Sequence, residues 1–168
     1  MASDPNDIET AEPEPLGVPE SPTWSVAAPP KAVIALWYRL TDFQWRTLAL
    51  VAPGNGPRAW RIAQALVEVS ATRPRLLKAV NAVDASLGRV AAVAHVLSPQ
   101  KLVAAADRNR FILAVDSPLE HPAAIGLLAN CDAVVLLLER GRTRIPDGQR
   151  ILELVGPERF IGAVLCSR

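Results

Sequence analysis

Arg110–Thr143 reads RFILAVDSPLEHPAAIGLLANCDAVVLLLERGRT, and this stretch decides the fold. It holds two strand-length apolar runs, Phe111–Val115 and Ala133–Leu138, with a helix-length segment, His121–Asn130, between them. Unbroken apolar runs suit strands covered on both faces, as in a parallel sheet flanked by helices. Asp116 closes the first run and Ser117-Pro118 turns the chain away. A carboxylate at the carboxyl end of a central parallel strand stands where open α/β sheets hold their ligands. Asp116 is therefore the first candidate site residue.

Working outward toward the amino terminus, Thr47–Ala52 is the next apolar run and the expected first strand. It enters Pro53-Gly54-Asn55-Gly56-Pro57 and then a helical pattern over Arg58–Val69. Strand, glycine turn and helix is the geometry that gathers backbone N–H groups around a phosphate, with the partial positive charge of the helix start behind them. A working loop of this kind also needs a Lys for the phosphates and a Ser or Thr hydroxyl for Mg²⁺. Pro57 and Arg58 occupy those places. Pro57 suits a first helical turn, but it removes a donor and brings no ammonium. Arg58 or Arg61 can meet a phosphate; neither can ligate a metal. Gly54, Asn55, Gly56, Arg58 and Asp116 thus form a degenerate nucleotide-binding set, with no catalytic residue and no metal ligand assigned.

The rest of the chain fits around this frame. Lys31–Trp45 begins as an amphipathic helix, with Val33, Leu36, Trp37 and Leu40 on one face, Arg39 opposite, and a turn at Thr41-Asp42. Core packing is the default for its aromatic residues; Trp37, Tyr38, Phe43 and Trp45 are also dense enough for a partner surface. A second strand is expected within Arg75–Val80, with Asp84 placed to cap the next helix. Ala85–Leu97 is ambiguous, and Ser98-Pro99 starts a short helix through Gln100–Asp107. His95, alone among apolar residues, reads as a core or edge residue rather than a base. Glu139–Arg144 is a polar loop whose Arg140, Arg142 and Arg144 are either solvated or anion-binding. Pro146–Val155 is a helix with Ile151, Leu152 and Val155 inward, and Phe160–Leu165 is the closing strand.

Composition bounds the function. The 168 residues are half hydrophobic and carry a net charge of +1, which argues against nucleic acid as a partner. The distribution is uneven. Asp4, Asp7, Glu9, Glu12, Glu14 and Glu20 face no Lys or Arg before Lys31, so a tail of −6 precedes a body of +7. With seven prolines, residues 1–30 read as a disordered acidic tail, either a solvated linker or an arm for a basic surface anchored by Trp24; residues 31–168 read as one α/β domain. Cys131 and Cys166 follow no metal spacing and both adjoin apolar runs, so buried free thiols are expected. With neither a leader pattern nor an apolar run of about 20 residues, a cytoplasmic location is expected.

From about Ala35 to Arg168 the layout resembles the cytoplasmic ATPase-like domain of bacterial tyrosine kinases and polysaccharide co-polymerases, the capsular exopolysaccharide family related to MinD/ParA-type ATPases. VDSPLEHPAAIGLLANCDAVVLLLERGRT resembles its hydrophobic-Asp-(Ser/Thr)-Pro-Pro motif, the following Asp-Gly-Val strand (here Asp132-Ala133-Val134-Val135) and its Gly-x-Thr loop (Gly141-Arg142-Thr143). FIGAVL resembles the closing strand, ALWYRLTDFQW the helix before the first strand, and APGNGP the Pro-Gly-x-Gly-Lys loop. The resemblance implies a three-layer, doubly wound, mostly parallel P-loop NTPase-like fold with a degenerate Walker A loop, and Asp116 as a relic Walker B carboxylate.

The departures are specific. Pro57 and Arg58 replace the Lys and the hydroxyl residue, the second acidic strand motif is missing, Leu119 stands where a second Pro is expected, and only Arg39 answers to the oligomerisation helix. Tyr38 is the single tyrosine of these 168 residues, so a tyrosine-rich tail is not expected. The expectation is a non-catalytic accessory or regulatory protein of exopolysaccharide synthesis or export, without a cofactor. It would act on a membrane polysaccharide co-polymerase, chain-length regulator or kinase, as a homo- or hetero-oligomer and peripheral to the inner membrane through that partner. Weak ATP binding by loop amides stays open. The competing classes are a deviant active ATPase or tyrosine kinase using Arg58 or Arg61, and a MinD/ParA-like positioning regulator.

Overall fold

The structure is a computed structural model that describes residues 30–54, 58–71, 77–82 and 109–166. The sequence readings for the acidic tail up to Pro29, for Asn55, Gly56 and Pro57, and for Asp84, His95 and the Ser98-Pro99 helix lie outside these residues.

Element order is α1 (Lys31–Thr41), β1 (Thr47–Val51), α2 (Arg58–Ser70), β2 (Leu77–Ala82), β3 (Arg110–Val115), α3 (Ala123–Ala129), β4 (Ala133–Glu139), α4 (Ile145–Val155), a 3-10 turn (Pro157–Arg159) and β5 (Phe160–Cys166). The described strands form one sheet in the order β2-β3-β1-β4-β5, and every neighbouring pair is parallel. Helices cover both faces: α1 and α2 pack on one, α3 and α4 on the other. This is the three-layer, doubly wound α/β architecture expected from the sequence.

The apolar runs explain the layering. All five residues of β1 are buried, as are Phe111–Val115 of β3 and Ala133–Leu137 of β4. Alternate residues feed opposite cores. Leu48, Leu50, Ile112, Ala114, Val135 and Leu137 meet Trp37, Leu40, Ala63 and Leu66 of α1 and α2. Ala49, Val51, Leu113, Val115, Val134 and Leu136 meet Leu127, Leu128, Ile151 and Val155 of α3 and α4. Removing one such fully buried leucine costs about 2–5 kcal/mol in cores of this kind.

Several local expectations are refined. The proposed aromatic surface divides: Trp37 and Trp45 are core residues, whereas Tyr38 and Phe43 stay exposed. Trp45 is fixed twice, by its indole N–H donating to Leu40 O at 2.8 Å and by the Arg110 guanidinium lying 4.7 Å over its ring. The segment His121–Asn130 yields a shorter helix, because Pro122 sits at its N-cap and leaves His121 in the preceding turn. On α4 the buried positions are Gly148, Ile151 and Val155, with Leu152 only half-buried. A glycine lies against Leu136 and Leu138 there, where no apolar side chain marks the face. Cys131 is buried as expected, but Cys166 is only half-buried, because β5 flanks β4 alone among the described strands.

Among the described residues no helix is long and apolar enough to cross a membrane.

Candidate functional site at the carboxyl edge of the sheet

The chain leaves β1 toward α2 on one face and leaves β3 toward α3 on the other. Adjacent strands whose exits part in this way open a crevice at their carboxyl ends, the place where doubly wound sheets bind ligands. Pro53 and Gly54 follow β1 there, Asp116 and Ser117 follow β3, and Arg58 opens α2. The sequence candidates Gly54, Arg58 and Asp116 therefore do gather at one edge, with Asn55 and Gly56 outside the described residues.

Their partners differ from what the sequence suggested. Ser117 is fully buried, and its hydroxyl donates to Pro53 O at 2.9 Å. It also accepts from Leu119 N–H, while its carbonyl accepts from Glu120 and His121 N–H. One side chain thus fastens the root of the glycine loop to the turn after β3. Asp116 is 6% exposed, and His121 Nε2 lies 3.9 Å from its Oδ2. That is an ion-pair distance only when the imidazole is protonated, and it is too long for a hydrogen bond.

Arg58 is engaged elsewhere. Its Nε lies 3.3 Å from Glu139 Oε1 at the end of β4, and Arg142 meets the other oxygen of that carboxylate at 3.7 Å. Glu139 is held from behind: its N–H donates to Thr143 Oγ1 at 2.8 Å, and its carbonyl accepts from Arg142 and Thr143 N–H. Gly141, at φ +76°, allows the tight turn that brings Thr143 back. The Cys166 thiol is pushed up by burial, an effect partly countered by the Arg58 guanidinium beside it. Arg58 therefore ties the head of α2 to the ends of β4 and β5. Arg140, Arg142 and Arg144 are all exposed on the same loop, and Arg140 N–H donates to Cys166 O at 3.0 Å.

At the opposite, amino edge stands Asp132, the acid that begins the Asp132-Ala133-Val134-Val135 motif. Its Oδ2 accepts from Arg46 N–H at 2.8 Å, Thr47 N–H at 2.8 Å and Thr47 Oγ1 at 2.9 Å. Asp132 N–H returns a bond to Thr47 O at 3.1 Å. This is a structural lock between β1 and β4, a strand-length away from the crevice.

Arg58 cannot ligate a metal, its charge is already met by Glu139, and among the described residues no three His, Cys, Asp or Glu side chains converge. Glu139 and Thr143 were missed as site residues, because nothing in sequence spacing announces that the end of β4 lies beside the head of α2. The signal available was Glu139 closing an apolar strand directly before Gly141-Arg142-Thr143.

Among solved structures, the BceF tyrosine kinase domain is similar, with a TM-score of 0.54 and 12% sequence identity. The match covers 79% of this chain and 73% of that one. No protein-family model and no curated protein matches the sequence. At this identity the likeness is one of architecture: the chain shares the fold of a tyrosine kinase domain.

Proposed function

We propose that this chain is a non-catalytic, P-loop-like accessory or regulatory protein of bacterial exopolysaccharide synthesis or export. It works by engaging a membrane polysaccharide co-polymerase, chain-length regulator or kinase at the inner membrane. The observation that carries the reading is the fate of Arg58. In a phosphoryl-transfer site the head of this helix supplies cationic and metal-binding groups aimed at the phosphates, and nearly all catalysis comes from that positioning. Here Pro57 replaces the ammonium, and Arg58, which opens the helix, is paired with Glu139. The shared architecture with a kinase domain supports the choice of process; the altered loop supports a binding role over an enzymatic one.

Deleting the gene and measuring extracellular polysaccharide tests the process, and the reading expects loss or altered chain length. Normal polysaccharide in the deletion strain sinks it. Turnover of Mg-ATP by the purified chain would return it to the enzymes.

A further inference from the structure

We infer that Glu139 is a resident anion: its carboxylate takes the place of a nucleotide phosphate at the head of α2 and keeps Arg58 occupied. This rests on the proposed function, in which the loop carries no phosphate chemistry, and it assigns a reason located outside the loop itself.

Register sets the position. Leu136 pairs with Val51, the last residue of β1, so Glu139 stands three residues further along β4. At about 3.3 Å per residue that is roughly 10 Å beyond the end of β1, where Arg58 in the first turn of α2 reaches it. Alternation sets the face. Ala133, Val135 and Leu137 point into the core beneath α1 and α2, so Glu139 projects on the α2 side, where Arg58 meets it.

Charge and support complete the case. A helix start carries unsatisfied N–H groups and partial positive charge, and it favours an anion. Glu139 supplies one covalently, at high effective concentration, with Arg58 and Arg142 on its two oxygens. Its backbone is fixed by Thr143 and by the turn at Gly141, so it arrives pre-placed. An incoming phosphate would have to displace a tethered carboxylate from Arg58, or accept a like charge beside it. Either route weakens anion binding.

The test is calorimetric titration of inorganic pyrophosphate and of Mg-free ATP into the full-length protein and into Glu139→Gln. The amide keeps the size and removes the charge. Removing the carboxylate charge beside Arg58 is expected to raise affinity at least tenfold over wild type, and the added Arg58→Gln change is expected to abolish the gain. Bound pyrophosphate should also restore any melting temperature lost in Glu139→Gln. Equal binding by folded wild type and Glu139→Gln overturns the inference, as does a gain that survives Arg58→Gln. If Glu139→Gln does not fold, the double variant Glu139→Gln/Arg58→Gln decides: rescue of folding supports the charge pairing, and no rescue rejects it. Tight Mg-dependent binding by wild type is a separate outcome: it would overturn the proposed function and leave Glu139→Gln to be judged against that higher baseline.

Discussion

The two edges of one sheet use their carboxylates in opposite ways. At the amino edge, Asp132 accepts three short hydrogen bonds of 2.8–2.9 Å from Arg46 and Thr47. Two of those donors are backbone N–H groups. At the carboxyl edge, Glu139 meets Arg58 and Arg142 at 3.3 and 3.7 Å, and Asp116 lies 3.9 Å from the His121 imidazole. Short bonds to the backbone hold a fold; longer contacts between side chains are what remains where a sheet of this type would bind a ligand. The amino edge is thus built for stability, and the carboxyl edge keeps the layout of a site with its charges turned on one another.

Substitutions that break the amino edge should therefore cost most. Asp132→Ala strips acceptors from Thr47, itself 2% exposed, and should lower stability by about 3 kcal/mol. In thermal melts that is a fall on the order of 10 °C. Ser117→Ala, the one firmly structural change at the carboxyl edge, leaves Pro53 O without its donor and should cost about 1–2 kcal/mol by denaturant titration.

Much of this contrast was legible in the sequence, and its limits have physical causes. Continuous apolar runs announced buried parallel strands, and the order strand, glycine turn, helix announced the crevice, because burial and turn chemistry are local properties. Expectations moved where a residue without an apolar signal took part: the helix boundary at Pro122 and the buried face at Gly148. The pairing of Arg58 with Glu139 was illegible: it depends on strand order, which sets β4 beside β1 across 81 residues of chain. Asp132 could be read as part of a motif, but its lock on Thr47 depends on the same pairing.

Smaller effects sharpen the comparison. Arg58→Ala breaks a partly exposed pair and should change stability by no more than about 1 kcal/mol, well below the Asp132 effect in the same assay. Arg142 is 66% exposed at its side chain, so Arg142→Ala should stay within about 0.5 kcal/mol of wild type. A larger loss at Arg58 than at Asp132 would reverse the assignment of the stabilising edge. The two thiols report on the same division without mutation. Burial pushes Cys131 up to about 12, whereas Cys166 is half-exposed beside Arg58. Iodoacetamide at pH 8 should therefore modify Cys166 first in the folded protein, as read by peptide mass, with Cys131 reacting only on unfolding.

The most direct test of the central claim, that the frame of a nucleotide-binding fold persists here without its phosphate and metal chemistry, is titration of ATP into the wild-type protein with and without Mg²⁺. The account expects no heat of binding up to millimolar nucleotide and no difference on adding the metal. Micromolar affinity that strengthens with Mg²⁺ would contradict it.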